Sequence, residues 1–408
     1  MSTDLITLKA EKLIYGGDSL GHLPDGRAAF LPFTLPGEVV RARLEREGAG
    51  FARMQVVEVL EAAPGRTQPP CPHFGVCGGC HYQHMDYPAQ LAAKEDILWE
   101  TLVRTAHLSN PPLRPILASP HPWQYRNHVQ FQLDRSGRLC FVGSDDRSRM
   151  PVVDCLLPEP GLDGIWRRLQ FEPGLGLERV AVRLGVDDSV MLVLTSPEAP
   201  ALDLESGLSV VHLQGEEALV LAGDEALVME VNNRPFRVSA ASFFQVNTPM
   251  AGSMVAHLLE NVRVAPGTPV LDVFCGVGLF SAFFAAGGAQ VTGIEQSPAA
   301  CDDFSVNLDE FEDVSLYQAS AGEALPALDL KPQVVILDPP RAGLEKRVVE
   351  ALLAKAPQQI AYISCDPATL GRDAARLVAG GYRLLQVTPF DLFPQTFHIE
   401  SISLFEKQ

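Results

Sequence analysis

The sequence predicts an α/β protein that ends in a doubly wound, mostly parallel sheet of the Rossmann-like kind. Three observations support this fold class. From about residue 241, helical patterns alternate with short apolar strands at 270–273, 290–294, 334–337 and 360–363. A glycine-rich turn follows the first of those strands. Before residue 241, apolar and polar residues mostly alternate with the period of two that is typical of β-strands.

The first predicted domain is a small OB-like β-barrel over residues 1–66. Its alternating runs lie at 5–9, 28–31, 38–44 and 54–60, with glycine turns at 15–17 and 35–37. The proline-rich stretch 64–70 ends the barrel.

The second predicted domain, residues 67–240, is mainly β. It opens with a cysteine loop at 71–80 and a helix at about 88–107. Residues 113–240 then alternate, with turns at 134–137, 187–188 and 232–233. The third domain is the sheet over residues 241–408.

The net charge is unevenly distributed over the 408 residues. The chain carries a formal charge of −18, which argues against a generic polyanion binder. Residues 1–160 contain 16 Lys+Arg and 18 Asp+Glu, whereas residues 161–408 contain 16 and 32. The nearly neutral N-terminal part therefore permits contacts with RNA but does not predict them.

The sequence predicts that the protein is cytoplasmic. Residues 1–5 have neither a basic start nor an apolar run of signal length. The uncharged stretch 273–294 contains five glycines and is flanked by Asp272 and Glu295, so we expect no membrane span. Eight cysteines in such a chain favour a metal site over a disulfide framework.

Cys365 is the strongest candidate for a reactive group. Residues 359–363 read as a short buried strand, and Asp366 as N-cap with Pro367 at the first helical position begins a helix. Amides and the dipole at a helix N-terminus favour the thiolate, the form that attacks carbon. The alternative is a buried structural cysteine, the usual role of a lone cysteine.

The turn 272–278 is a candidate cofactor loop. It follows one strand and opens a helix, and Glu295 ends the next strand nineteen residues after Gly276, where a ribose diol would lie. A dinucleotide fingerprint would place a third glycine at Ser281. Its absence, with Asp272 before the loop, favours S-adenosylmethionine, which has no pyrophosphate. Cys275 within this loop is expected to pack rather than react.

Two further segments carry polar groups beside predicted strands. Asp338-Pro339-Pro340-Arg341 follows the strand 334–337, so its polar groups face the same edge as the cofactor loop. The segment 393–400 places His398 and Glu400 on one side of a predicted strand. Taken alone, the first segment could be a turn, and His398 and Glu400 could be edge residues.

Cys71, Cys77 and Cys80 predict a metal site. They are separated by five and two residues in a glycine-rich loop. Cys155 could supply a fourth thiolate, with Cys140 as its competitor. Four thiolates suit either zinc or an iron-sulfur cluster, and spacing alone does not decide between them.

Together these segments resemble the RNA uracil-C5 (5-methyluridine) methyltransferases. The resemblance rests on residues 364–370, 338–341, 396–400 and 243–247. The cysteine loop and the barrel are similar to the branch of bacterial 23S ribosomal RNA enzymes with an N-terminal TRAM domain and a 4Fe-4S cluster.

The resemblance implies roles for particular residues. Catalysis falls to Cys365 as nucleophile and Glu400 as base. The methyl-donor site is implied to consist of Gln245, Phe274, Glu295 and Asp338. The implied ligands of the cluster are Cys71, Cys77, Cys80 and Cys155. This sequence differs from the family at two positions. Asp366 stands where the family more often has Asn, and Leu279 stands where some ribosomal RNA members have an Asn near the donor.

The expected function is methylation of uridine C5 in 23S ribosomal RNA by a monomer, through an adduct between Cys365 and C6. The target base must leave its stack, and Arg126, Asn127 and His128 are candidate RNA contacts. The alternatives are the same reaction on transfer RNA, and a noncatalytic RNA-binding or assembly protein.

Overall fold

The computed structural model describes residues 5–200 and 207–408, and the chain divides into two compact units. Unit one comprises the described residues up to Glu100, with Phe141–Asp154 and Phe393–His398. Unit two comprises Thr101–Cys140, the described part of Cys155–Leu392, and Ile399–Gln408. Residues 1–4, on which most of the export-signal prediction rests, lie outside the described residues.

Unit one contains a six-stranded sheet. Its strands are β1 (Ile6–Lys9), β2 (Lys12–Leu13), β3 (Ser19–His22), β4 (Ala28–Leu31), β5 (Val39–Glu47) and β6 (Phe51–Glu61). They lie in the order β1-β5-β6-β4-β3-β2. Val40 and Ala42 in β5 and Ala52 and Met54 in β6 are fully buried, and the residues between each pair are exposed. This alternation of buried and exposed residues has the predicted period of two. That the strands close into an OB-like barrel stays a prediction.

The middle of the chain is mainly β, as predicted. Its elements are α1 (Tyr87–Thr105), β7 (His128–Leu133), β8 (Leu139–Val142), β9 (Arg149–Pro151), α2 (Pro160–Trp166), β10 (Arg179–Leu184), β11 (Val190–Thr195), β12 (Ser209–Gln214), β13 (Glu217–Ala222), β14 (Ala226–Val231) and β15 (Arg234–Ser239). In unit two, β13, β12, β11, β10 and β7 are neighbours in that order. Strands β14 and β15 form a separate hairpin. Its turn residues Asn232 and Asn233 have φ values of 50° and 63°, in the left-handed region that asparagine tolerates.

The C-terminal part alternates helices and strands. Its elements are α3 (Thr248–Asn261), β16 (Pro269–Val273), α4 (Leu279–Ala286), β17 (Gln290–Glu295), α5 (Pro298–Asn307), β18 (Val314–Gln318), α6 (Ala321–Ala327), β19 (Val334–Leu337), α7 (Lys346–Lys355), β20 (Gln359–Ser364), α8 (Pro367–Ala379), β21 (Tyr382–Phe390) and β22 (Glu400–Lys407). The sheet order is β18-β17-β16-β19-β20-β22-β21. Its first five strands are parallel, and β22 is antiparallel to both β20 and β21. All four residues of β19 are fully buried, which explains its unbroken apolar sequence.

The segment before β22 differs from the prediction. Strand β22 begins at Glu400, so His398 lies outside it, and the expected alternation of His398 with Glu400 is wrong. The cause is a turn upstream, where Thr396 donates its backbone N–H to the carbonyl of Phe393 at 3.3 Å. Gln395 in this turn has φ 68°, which extended strands do not adopt.

Asp303 is a buried carboxylate that joins α5 to β15. Its side chain is fully buried and forms an ion pair with Arg237. It also accepts hydrogen bonds from the Ser239 backbone N–H at 2.7 Å, the Ser239 hydroxyl at 2.7 Å and the Ser242 hydroxyl at 2.5 Å. A buried charge is tolerated when it is paired and hydrogen-bonded in this way.

We expect Asp303→Ala to destabilise the protein by about 2–4 kcal/mol, because it leaves the Ser239 backbone N–H and two hydroxyls without their acceptor, while half-buried Arg237 keeps its ion pair with Glu225. Urea unfolding followed by circular dichroism measures this loss. The control is Asp302→Ala, an exposed neighbour on the same helix, with an expected change below about 0.5 kcal/mol. Equal losses in the two variants would contradict this role of Asp303.

Candidate active site

The parallel strands end together at one edge of the C-terminal sheet. Val273 is paired with Ile294 and with Leu337, and Leu337 is paired with Tyr362. The next residue of each strand therefore lies at the carboxyl edge. These residues are Phe274, Glu295, Asp338 and Ile363. Three of them are expected donor-site residues, and the register brings them side by side.

The glycine loop is strained and tied to Glu295. Phe274 has φ 68°, a left-handed value that is rare for an aromatic residue, and Gly276 has φ 53°. One carboxylate oxygen of Glu295 accepts from the Gly276 backbone N–H at 3.0 Å, and the other accepts from Gln296 and Ser297 at 2.8 Å each. A Cβ at Gly276 would meet nothing within 4 Å, so the loop has open space beside it. Cys275 is buried, as expected for a packing residue.

Cys365 and Glu400 are brought together by the antiparallel pairing of β20 with β22. Ser364 is paired with Ser401. Because these strands run in opposite directions, Cys365, the residue after Ser364, lies across from Glu400, the residue before Ser401. Side chains in directly opposite positions have Cβ atoms about 4.5–5.5 Å apart. Glu400 is only 5% exposed, and Cys365 is half-buried.

The helix start beside Cys365 has the predicted form. Asp366 caps α8, accepting hydrogen bonds from the backbone N–H groups of Ala368 at 3.0 Å and Thr369 at 2.9 Å. Pro367 occupies the first turn. The cap fixes the chain direction immediately after the thiol.

The electrostatic surroundings oppose the predicted thiolate. Burial raises the pKa of the Cys365 thiol to about 12, and the carboxylates of Glu400 and Asp338 add repulsion, while Arg341 acts in the opposite direction. Burial also raises the pKa of Glu400 well above its usual value, with a smaller contribution from Asp338. The expectation that the helix N-terminus favours the thiolate of Cys365 is therefore wrong, because burial and the two carboxylates outweigh it.

Two more acids, half-buried Asp338 and fully buried Asp272, extend this cluster. Burial raises the pKa of Asp338 to about 7, and repulsion from Asp272 and Glu295 adds to the shift. Burial likewise raises the pKa of Asp272 to about 7. One Asp272 oxygen accepts from the Ser281 hydroxyl at 2.7 Å, and the other is buried without a hydrogen-bond partner. Such a cluster is suited to a cationic ligand that donates hydrogen bonds.

The loop that carries Arg341 is anchored by Asp373, which the sequence analysis missed. Asp373 is fully buried on α8 and accepts from the Leu344 backbone N–H at 2.8 Å and the Tyr362 hydroxyl at 3.0 Å. Arg372 pairs with Asp373 and also donates to the carbonyl of Ala342 at 2.9 Å. One carboxylate thus joins the Arg341 loop to the strand and helix that flank Cys365. The available signal was an acid at helical spacing between the apolar residues Leu370, Ala374 and Leu377.

Gln245 and the expected RNA-contact residues are connected through Asn127. The side-chain amide of Asn127 donates to the backbone carbonyl of Gln245 at 2.9 Å and to the Thr248 hydroxyl at 2.9 Å. Asn127 is 5% exposed and Gln245 is 8% exposed. The guanidinium of Arg126 lies 5.7 Å from the ring centre of Tyr125. Asn127 is thus placed to support the residues around Gln245.

The cysteine loop has some features of a thiolate site. Cys71 and Cys77 are half-buried and Cys80 is buried, and the Gly79 backbone N–H donates to the sulfur of Cys77 at 3.3 Å. Cys155 is half-buried and Cys140 is buried. Over residues 5–200 and 207–408, however, no three His, Cys, Asp or Glu side chains converge to hold a metal ion. The four-cysteine site stays a prediction.

Known proteins resemble this chain over nearly its whole length. A family model described as tRNA (uracil-5-)-methyltransferase matches residues 222–408. An uncharacterized RNA methyltransferase of Thermosynechococcus vestitus is 33% identical, covering 98% of this chain and 97% of its own, and one of Aquifex aeolicus is 32% identical, covering 98% of each. Among solved structures, this chain is similar to the tRNA (uracil-54, C5)-methyltransferase of Pyrococcus abyssi in complex with S-adenosyl-L-homocysteine, with a TM-score of 0.74 and 22% sequence identity. The match covers 98% of this chain and 100% of the Pyrococcus abyssi chain.

The fold, the acidic strand edge and these matches identify the protein as an RNA methyltransferase. Within this class, the chain belongs to the RNA uracil-C5 methyltransferase family. None of the helices in the described ranges is long and apolar enough to cross a membrane.

We expect Arg341→Ala to slow alkylation of Cys365 by iodoacetamide, because Arg341 acts to lower the pKa of the thiol. A raised thiol pKa also means that alkylation of the wild-type protein accelerates as pH rises above neutral. The rate is read from the peptide that contains Cys365 by mass spectrometry, and we expect a reduction of about threefold to tenfold, equivalent to about 0.5 to 1 pKa unit.

The matched control for this prediction is Arg347→Ala, which removes an arginine from the exposed surface of α7. It should leave the rate at Cys365 unchanged. A wild-type rate that is fast at neutral pH and insensitive to alkali would contradict the raised thiol pKa.

Proposed function

We propose that this protein transfers a methyl group from S-adenosylmethionine to C5 of a uridine in 23S ribosomal RNA. The observation that carries the proposal is the cross-strand position of Cys365 and Glu400, beside Asp338 and Arg341 at the carboxyl edge of the sheet. This edge offers a thiol, a buried acid and a candidate donor loop together.

The acidic edge fits the donor. Gln245, Phe274, Glu295 and Asp338 would hold S-adenosylmethionine, whose sulfonium carries a positive charge and supplies an electrophilic methyl group. The unpartnered oxygen of Asp272 and the raised pKa of Asp338 are both consistent with a cationic ligand. Its charge would lower the pKa of Cys365, Asp338 and Glu400, and so make the thiolate accessible once the donor is bound.

Cys365 then acts as the nucleophile. Its thiol loses a proton to water, and Sγ forms a bond to C6 of the uracil, which moves the C5–C6 electron pair onto C5 and O4. C5 then forms a bond to the methyl group while the bond between that methyl group and the sulfonium sulfur breaks, which leaves a neutral thioether. Glu400, as a carboxylate, removes the remaining proton from C5, and the Sγ–C6 bond breaks to restore the ring and return the electron pair to sulfur. Arg341 favours the charged forms of both residues.

The preference for ribosomal RNA rests on the N-terminal part. The resemblance of residues 1–66 to a TRAM barrel and of residues 71–80 to a cluster loop supports the 23S branch. The first alternative is the same reaction on transfer RNA, the substrate named for the Pyrococcus abyssi enzyme. The second, a noncatalytic RNA-binding protein, has no use for Cys365 and Glu400 in facing positions. We propose a cytoplasmic monomer.

RNA that contains 5-fluorouridine should trap the wild-type protein covalently in the presence of donor, because fluorine at C5 cannot leave as a proton does. Cys365→Ala should form no adduct, whereas Glu400→Gln should accumulate an adduct even with ordinary RNA. Denaturing gels with labelled RNA measure both outcomes. Cys301→Ala, which removes a buried thiol from α5, is the control and should behave as wild type. An adduct formed by Cys365→Ala would overturn the mechanism.

Deletion of the gene should remove 5-methyluridine from 23S ribosomal RNA and leave transfer RNA unchanged. Mass spectrometry of nucleosides from the purified RNAs measures each level, and re-expression of the wild-type gene is the control. Loss from transfer RNA alone would select the first alternative.

We further propose that Cys71, Cys77, Cys80 and Cys155 bind a 4Fe-4S cluster, with zinc as the alternative. The donor set suits either one, since both prefer thiolates. Among the described residues no group of three His, Cys, Asp or Glu side chains could hold a metal ion, so no catalytic step is assigned to the metal.

Protein purified without oxygen should contain about four iron atoms per chain and absorb visible light, as expected for a 4Fe-4S cluster with four thiolate ligands. Cys155→Ser and Cys77→Ser should lose most of this iron, whereas Cys140→Ser, which alters the competing fourth ligand, should retain it. Zinc in place of iron would select the alternative metal, and iron that is lost only in Cys140→Ser would exclude Cys155.

A further inference from the structure

A cavity of about 610 Å³ opens in unit two, outside the thiol and donor sites. Its lining includes Trp123, Tyr125, Asn127, Glu159, Glu230 and Thr248. This volume lies within the range of sites that enclose small organic ligands, about 300–1,000 Å³. Nothing in the proposed reaction uses it.

The lining combines aromatic rings with several hydrogen-bond acceptors and also includes the exposed His121. Trp123 is half-buried and Tyr125 is 2% exposed. Glu159 stands at the N-cap of α2, yet its side chain makes no capping hydrogen bond, and burial raises the pKa of its carboxyl group. The side-chain NH2 group of Asn127 donates to Gln245 and Thr248, so the side-chain oxygen of Asn127 is the atom that could accept a hydrogen bond from a ligand.

These groups select one kind of ligand. Among the described residues that line the cavity, none is a lysine or an arginine. The carboxylates of Glu159 and Glu230, with no lysine or arginine beside them in the lining, disfavour binding of a phosphate group. A flat ring that stacks on the aromatic side chains and donates N–H groups to the acceptors satisfies the lining.

The segment that carries the two rings is held in a strained conformation. Gln124, between Trp123 and Tyr125, has φ 53°, a left-handed value that is uncommon for a residue other than glycine. Its backbone N–H donates to the Leu156 carbonyl at 3.0 Å, and that of Arg126 donates to the Leu157 carbonyl at 2.9 Å. The structure thus maintains the strain that presents both rings to one cavity.

The cavity is physically connected to the expected donor site. Asn127 lines it and donates its backbone N–H to Val246 at 3.0 Å, besides its side-chain bond to the carbonyl of Gln245. Thr248, also in the lining, is three residues from Gln245, a span of at most about 10 Å. The cavity therefore adjoins the residues expected to hold the methyl donor.

We propose that this cavity binds a second, unpaired base of the RNA substrate, one that carries an exocyclic amino group, by stacking on Trp123 and donating to Glu159. The proposal rests on the proposed function, which supplies the RNA. Recognition of splayed bases by aromatic stacking and edge hydrogen bonds is the common way in which proteins read single-stranded RNA. Uracil fits poorly, because its two carbonyl groups would face acceptors.

The test measures binding of labelled oligocytidylate, oligoadenylate and oligouridylate of equal length by fluorescence anisotropy. We expect the wild-type protein to bind the first two about tenfold more tightly than oligouridylate, in line with one amino-group contact. Glu159→Gln should remove most of this preference. Trp123→Ala should weaken binding to all three about tenfold through lost stacking, and Trp123→Phe should recover most of it.

Trp99→Ala is the matched control, because Trp99 is 41% exposed on α1 and lies outside the cavity. Equal affinities of the wild-type protein for the three oligonucleotides, or unchanged binding by Trp123→Ala, would overturn the proposal. Methyl transfer to bulk ribosomal RNA is assayed in parallel, where the cavity variants should raise KM for RNA more than they lower kcat. If the wild-type protein transfers no methyl group, the proposed function fails, while the oligonucleotide affinities still decide the role of the cavity.

Discussion

The insertion of strand β22 between β20 and β21 is the constraint on which the candidate active site depends. This strand is the last in the chain and runs antiparallel to both neighbours. Its register with β20 sets Glu400 across from Cys365, although 34 residues separate them in sequence. A slip of one residue would turn the side chains of β22 to opposite faces of the sheet and break this arrangement. Both faces of β22 are buried, with Ile402 on the face of Glu400 and Phe405 on the other, so a slip would exchange buried apolar and polar side chains between the faces.

Burial and charge, rather than the helix N-terminus, control the protonation of the candidate nucleophile. A helix N-terminus typically favours an anion by about 0.3–1 kcal/mol, less than the roughly 1.4 kcal/mol that one pKa unit represents. Burial and two carboxylates raise the pKa of Cys365 from 9.0 to about 12, a larger effect in the opposite direction. Burial and charge therefore favour the neutral thiol at Cys365, and a nearby cation would shift this equilibrium towards the thiolate. In the proposed function, the methyl donor is that cation.

Much of the local structure followed from short-range patterns. Strand 334–337 and the Asp366 cap agree with the structure, and strands 270–273, 290–294 and 359–363 differ only by one residue at an end. These features depend on apolar runs and capping groups within a few residues, so sequence reasoning finds them. His398 was wrongly placed in a strand because the backbone conformation of Gln395 left no mark in the apolar pattern. Asp373 was missed because its partners come from three separate segments of the chain.

The sequence by itself determined the fold class, the candidate reactive groups and the resemblance to one family, because each depends on residue types at fixed local spacings. Tertiary structure decided which groups meet. It placed Glu400 opposite Cys365, brought Asp338 near both the thiol and Asp272, and opened the cavity beside Asn127. The reason is that burial, repulsion between charges and the space between elements arise only when distant segments pack, and no pattern of neighbouring residues records them.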